Sequence, residues 1–115
     1  MKLIRAIIRP EREEAVLSNL EAAGLYAITK MPVTGRGRQR GIQVGPVRYD
    51  SLAKVMLLLV VEENAYPKAL AAIEKGAETG HPGDGKIFAQ EVSEVHTIRT
   101  GKKSTGKQSM EEPVQ

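Results

Sequence analysis

The chain reads as an α+β domain with the element order β-α-β-β-α-β, and three observations predict it. Apolar residues alternate or run together at Leu3–Ile8 and over Val55–Val61, which are strand signatures. Between and after them, Val16, Leu20 and Ala23, then Ala69, Leu70, Ile73 and Ala77, recur at helical spacing. Breakers separate the segments: Pro10, Gly24, Pro32, a glycine-rich stretch after Thr34, and a cluster from Gly80 to Gly85. That order is the ferredoxin-like, split-βαβ arrangement, with two helices on one face of a four-stranded antiparallel sheet.

Each element follows from local chemistry. The first strand stops at Pro10, which suits a first helical turn. Glu11, Glu13 and Glu14 then sit at the positive end of that helix, and Gly24 is placed to end it as the C′ residue. Leu25–Val33 is a weaker strand, with Tyr26, Ile28 and Val33 as β-formers and Pro32 marking an edge. Residues 34–50 form a long loop with no apolar periodicity. Ala53–Glu62 holds the strongest strand signal, and Asn64 is available to cap the second helix, which Gly80 can close. Lys86–Arg99 makes the fourth strand. The expected division is therefore a domain over residues 1–101 and a tail without regular structure over 102–115.

Composition narrows the function. At 115 residues and 12.5 kDa the chain fits one domain. Aromatic residues make up 3%, with one Phe and no Trp, so the core is aliphatic and base-stacking platforms are missing. No cysteine is present, which excludes disulfides and thiolate metal sites and fits a cytoplasmic setting. No apolar run approaches a membrane span, and the N-terminus lacks a signal-peptide layout. The loop over 34–50 carries four arginines (Arg36, Arg38, Arg40, Arg48) against Asp50, a net +3 that equals the excess of the whole chain.

The strands also raise a question of coverage. With both helices on one face, the other face of the sheet should alternate to polar. Val55–Val61 is apolar on both. At roughly 25 cal/mol per Å2, wetting several such side chains costs many kcal/mol. Either sheets pack inward in an oligomer, which is the reading adopted, or the long loop shields the face.

Thr79-Gly80-His81-Pro82-Gly83-Asp84-Gly85-Lys86-Ile87-Phe88 is the most informative stretch. Gly83 and Gly85 let backbone approach a ligand closely, and successive N–H groups in such a turn form a nest for an oxyanion. Lys86 adds a full charge. The stretch is not a Walker A loop, because Ile87 stands where a hydroxyl residue is needed. By itself, Gly-Asp-Gly-Lys is also compatible with a tight turn bearing a solvated lysine. His81 reads as an exposed turn residue and His96 as a packing residue on a strand; they form no zinc cluster. No nucleophile–base or paired-carboxylate constellation is visible, so a dedicated enzyme is not expected.

Further strings accompany this stretch in the same order and topology: Gly35-Arg36-Gly37-Arg38-Gln39-Arg40-Gly41, Lys54 in the third strand, and Ile98-Arg99-Thr100-Gly101. Together they resemble the PII signal-transduction family of nitrogen regulators over residues 1 to about 101. The resemblance implies a homotrimer with three intersubunit clefts, each binding ATP or ADP. It implies nucleotide contacts at Thr29, Gly37, Arg38, Val60, Gly83, Asp84, Gly85 and Lys86, with Arg99 contributed by a neighbouring subunit. It further implies that Gln39 helps hold Mg2+ between ATP and 2-oxoglutarate, and that Lys54 pairs with a 2-oxoglutarate carboxylate. A metal and a cation are needed there, since a dicarboxylate beside a triphosphate is otherwise repelled.

Two departures qualify the match. Thr97 stands where the family has a second arginine, so a phosphate contact is lost or comes from Lys102 or Lys103. The long loop is shorter than in common members, and Tyr49, its sole tyrosine, does not align with the uridylylated one, so it is not expected to be modified. The loop (Gly41-Ile42-Gln43-Val44-Gly45, then Tyr49-Asp50) is similar to the nitrogenase-associated PII branch. That implies a target among nitrogenase components, reached through Arg36, Arg40, Arg48 and Tyr49, and an assembly that is homotrimeric or mixed with a PII paralogue. A general regulator of ammonium transport or glutamine synthetase stands as the alternative. An RNA-binding ferredoxin-like module is the reading from another class, and the missing sheet aromatics count against it, so no nucleic-acid partner is expected.

Overall fold

The structure, a computed structural model, describes residues 1–36, 42–44, 47–49 and 52–105; for 42–44 and 47–49 the backbone is described. Strand β1 (Lys2–Ile8) leads through a 3-10 turn (Pro10–Arg12) into helix α1 (Glu13–Ala22). Strand β2 (Thr29–Gly35) follows, then the short strands β3 (Ile42–Val44) and β4 (Val47–Tyr49), then the long strand β5 (Leu52–Val61). Helix α2 (Tyr66–Ala77), strand β6 (Gly85–Glu91) and the two-residue strands β7 (Val95–His96) and β8 (Lys103–Ser104) complete the described chain.

The main sheet is antiparallel in the order β2-β5-β1-β6, with both helices on one face. This is the ferredoxin-like arrangement that the pattern predicts. Period-two geometry sorts the strands onto two faces. Ile4, Ala6 and Ile8 of β1 and Leu57, Leu59 and Val61 of β5 point to the helices and are buried. Val16 and Leu20 of α1 and Ala69, Ile73 and Ala77 of α2 close that core. The predicted helical faces are the buried ones, except that Leu70 and Ala23 are only half-buried, Ala23 standing just past the end of α1.

Helix α1 ends as Gly24 predicts. The Gly24 N–H donates to the Glu21 carbonyl at 2.9 Å and the Leu25 N–H to the Leu20 carbonyl at 2.9 Å, the paired bonds of a Schellman motif. Those bonds explain why β2 starts later than expected. Leu25 is tied to the helix end and buried in the core, so sheet pairing begins only at Thr29, opposite Leu58.

Other expectations need correction. Asn64 does not cap the second helix: it lies inside a 3-10 turn (Glu63–Ala65), and neither cap position makes a side-chain bond. The helix ends at Ala77 rather than running to Gly80. The fourth strand stops at Glu91 because its partner does, Lys2 of β1 pairing with Glu91. Val92 still donates to the Met1 carbonyl at 3.0 Å, after which β7 turns away to pair with β8. Lys103–Ser104 is therefore a strand where a structureless tail was expected; residues 106–115 lie outside the described residues. The loop over 34–50 is not without regular structure, since Thr34 and Gly35 finish β2 and β3 pairs with β4.

Candidate functional site

The end of β1, the start of β6 and the near end of β5 converge on the Thr79–Lys86 turn. Its shape is set from inside by Asp84. One carboxylate oxygen accepts from the Thr79 N–H at 2.7 Å and the Gly80 N–H at 3.0 Å. The other accepts the Thr79 hydroxyl and the Arg9 Nε–H, the latter at 3.2 Å. The Thr79 hydroxyl, then the Thr79 N–H, hold the Asp84 carboxyl well below the usual carboxylate range, outweighing a smaller opposing effect of burial. The Thr79 hydroxyl oxygen in turn accepts the His81 N–H at 3.2 Å.

Two cations grip the turn from outside. Arg9 donates from Nη2 to the Pro82 carbonyl at 2.6 Å, and Lys54 donates from Nζ to the Gly83 carbonyl at 2.5 Å. Gly83 has φ +96° and Gly85 φ +114°. At Gly85 no side chain fits, because a Cβ would lie 1.8 Å from the Ile7 carbonyl oxygen. The absent Cβ is what lets β6 begin against β1. Among the described residues, the N–H groups of Gly83 and Asp84 donate to no protein group. Arg9 and Lys54 sit on the carbonyl side of these peptides and Lys86 follows in β6, so three cations stand at the turn against one carboxylate. That composition fits phosphate.

A groove of about 390 Å3 lies on the other side of the turn, between α2 and β6, and is lined in part by Glu74, Glu78, Asp84 and Lys86. Its carboxylates disfavour a polyanion there.

Of the predicted site residues, Gly83, Asp84, Gly85 and Lys86 form the turn and Lys54 reaches it directly. Asp84 serves in this structure as the internal organiser of the turn. Thr29, Lys54, Val60 and Lys86 all lie on the sheet face away from the helices, as the registers require. Arg99 does not join them within the chain. It is exposed in the turn between β7 and β8, which is closed by Thr97 N–H to the Lys102 carbonyl (2.8 Å) and Gly101 N–H to the Thr97 carbonyl (2.7 Å). Thr97 thus closes this turn through its backbone. Lys103, a suggested substitute for the missing arginine, is 3.9 Å from Glu94. His96 is exposed and 2.8 Å from Glu94, not a packing residue. Arg36 is exposed at the end of β2. Gly37, Arg38, Gln39 and Arg40 lie outside the described residues, and Arg48 and Tyr49 are placed on β4 by backbone alone.

Arg9 is the residue that sequence reasoning missed. It stands 75 positions from Asp84, and a single arginine before a proline carries no local signal of that contact.

The geometry and the motifs define a class: a ferredoxin-like domain with a glycine turn, shaped by Asp84, at the end of its sheet. A family model for nitrogen regulatory protein P-II matches residues 1–102. The chain belongs to that family. It is 50% identical over 102 residues to "Nitrogen fixation nifHD1 region GlnB-like protein 1" of Methanosarcina barkeri, covering 89% of this chain and 97% of that protein. It is 49% identical over 100 residues to "Nitrogen fixation nifHD region glnB-like protein 1" of Methanococcus maripaludis, covering 87% of this chain and 95% of the relative. "Nitrogen regulatory protein P-II 2" of Methanothermobacter thermautotrophicus is 47% identical over 105 residues, covering 88% and 91%.

Proposed function

We propose that this protein senses ATP or ADP together with 2-oxoglutarate and transmits their binding through its 34–50 loop to a component of nitrogenase. The observation that carries the reading is the Gly83–Lys86 turn, with two N–H groups that donate to no described residue and three cations at the turn. Family membership supports a regulatory role, and the printed names of the relatives support a nitrogen-fixation setting. The active form is a trimer whose clefts each take one nucleotide, with Arg99 supplied by the adjoining subunit.

Among the described residues no group of three or more His, Asp or Glu could hold a metal. Mg2+ would be held by Gln39, which lies outside the described residues, together with oxygens of the nucleotide and the effector. The bound metal supplies charge neutralisation between the phosphates and the dicarboxylate. Lys54 keeps further N–H donors beyond the one given to Gly83, since an ammonium has three. It thus serves a carboxylate without abandoning the turn.

Calorimetry with ATP and Mg2+, with and without 2-oxoglutarate, tests this directly. The expected result is strong positive coupling, equal in both directions of titration. Independent binding of the two ligands would sink the sensing role. Lys86→Ala should weaken ATP by roughly 10- to 150-fold, the loss of one charged hydrogen bond. Lys54→Ala should abolish the 2-oxoglutarate effect and, through the lost Gly83 contact, weaken ATP by a further factor of about five. Affinity capture from nitrogen-fixing cells identifies the target: recovery of an ammonium transporter or glutamine synthetase in place of a nitrogenase component would reassign it.

A further inference from the structure

We propose that Arg9 is the positioning residue of the phosphate turn, fixing the direction of its N–H donors without touching the ligand. The inference rests on the nucleotide-binding reading above and adds to it a residue outside every motif.

A trans peptide is planar, so its N–H points opposite to the preceding carbonyl. The chain contains no cis peptide among its described residues. Holding the Pro82 carbonyl therefore aims the Gly83 N–H, and holding the Gly83 carbonyl aims the Asp84 N–H. Arg9 holds the first at 2.6 Å and Lys54 the second at 2.5 Å. Each cation thus faces a carbonyl and leaves the two N–H groups aimed away from it, a preorganised pair for one oxyanion.

Arg9 alone also grips the side chain that shapes the turn. Its planar fork spans two acceptors, Nε–H to Asp84 and Nη2–H to Pro82, a geometry that lysine cannot copy. Nη1 lies 3.9 Å from Glu11. The guanidinium is largely enclosed, its side chain 24% exposed. Two of its five donors are thus committed to the turn itself, so removing them should loosen the turn even with no phosphate present.

The test compares the parent with Arg9→Ala and Arg9→Lys by two measurements. Calorimetry with ATP and with adenosine should show ATP weakened by about tenfold or more in Arg9→Ala and adenosine unchanged, because only phosphates use the turn. Arg9→Lys should fall between, restoring one of two contacts. In ligand-free protein, 15N order parameters of Gly83 and Asp84 should drop from about 0.85 towards 0.6 in Arg9→Ala. ATP affinity within twofold of the parent, or equal losses for ATP and adenosine, would overturn the proposal. A large ATP loss with unchanged order parameters would also overturn it, by making Arg9 a direct ligand. Should Arg9→Ala fail to fold, Arg9→Lys and Asp84→Asn carry the same comparison. A parent that binds no adenine nucleotide overturns the functional reading itself, and that outcome is distinct from any of these.

Discussion

Asp84 and Gly85 are neighbours whose substitution should fail in different ways. The Asp84 carboxyl is held below its ordinary range, above all by the Thr79 hydroxyl. A group depressed in the folded state contributes stability above its unfolded pKa, near 4, and loses it as pH falls through the lower folded value. Melting temperatures of the parent and Asp84→Asn should therefore differ by a constant amount from about pH 8 to pH 5 and converge below about pH 4. A gap that instead widened on acidification would refute the assigned bonds. Gly85→Ala should be lost to misfolding at any pH, since its Cβ would overlap the Ile7 carbonyl at φ +114°. The cost should exceed ~3 kcal/mol, read as a collapse in denaturant midpoint. Gly83→Ala meets only the flexible heads of Arg9 at 3.2 Å and Lys54 at 3.8 Å, but at φ +96° it carries a backbone strain of about 1–3 kcal/mol, so it should disturb the turn without the overlap that Gly85→Ala suffers. The sequence advertised these glycines as a turn, and the strings that accompany them elsewhere in the chain gave the turn its meaning. It did not advertise Arg9, whose meaning exists only once β1 and the turn are side by side.

At the scale of elements, the strands were legible where their own residues decide them and obscure where a partner does. Apolar Val55–Val61 declares itself. The end of β6 at Glu91 is set by where β1 begins, and the pairing of β7 with Lys103–Ser104 joins two pieces with no apolar pattern of their own. The helix contact was hidden for a similar reason. Gly76 reads as a weak spot in α2, yet a Cβ there would lie 2.8 Å from Val16 Cα and 2.9 Å from Val16 N. The two helices touch backbone to backbone at this point. Asn19 donates to the Ala72 carbonyl at 3.2 Å and Arg12 to the Gly76 carbonyl at 2.8 Å, fixing the crossing. Helix propensity favours alanine over glycine by about 1 kcal/mol. Overpacking costs about 1–3 kcal/mol, and here the obstacle is immovable backbone. Gly76→Ala should thus destabilise, by about 1–2 kcal/mol net in urea unfolding; a stabilised variant would show that the helices separate freely.

For the whole molecule, the decisive surface is the sheet face opposite the helices. Leu3, Ile7, Met56, Leu58 and Val60 are half-buried there, with Met31 36% and Phe88 52% exposed. Arg5, Lys54 and Lys86 share the face but stand in separate rows of the register. One chain offers nothing among its described residues that removes this apolar band from water. On the proposed reading, a second copy would both cover the band and bring Arg99 to the Gly83–Lys86 turn. Leu58 tests the link. It sits between Arg5 and Thr29 at the centre of the face and outside the helix-covered core, so Leu58→Asp should leave the fold intact. Sedimentation should then show a monomer in place of the proposed trimer, since a carboxylate taken out of water in an apolar interface costs several kcal/mol that pairing with the adjacent Arg5 does not fully repay. ATP affinity should fall in the same variant, although Leu58 lies four positions along β5 from Lys54, the residue of that strand that reaches the turn. A monomer that binds ATP as tightly as the parent would mean that one chain holds the complete site and that Arg99 has no part in it.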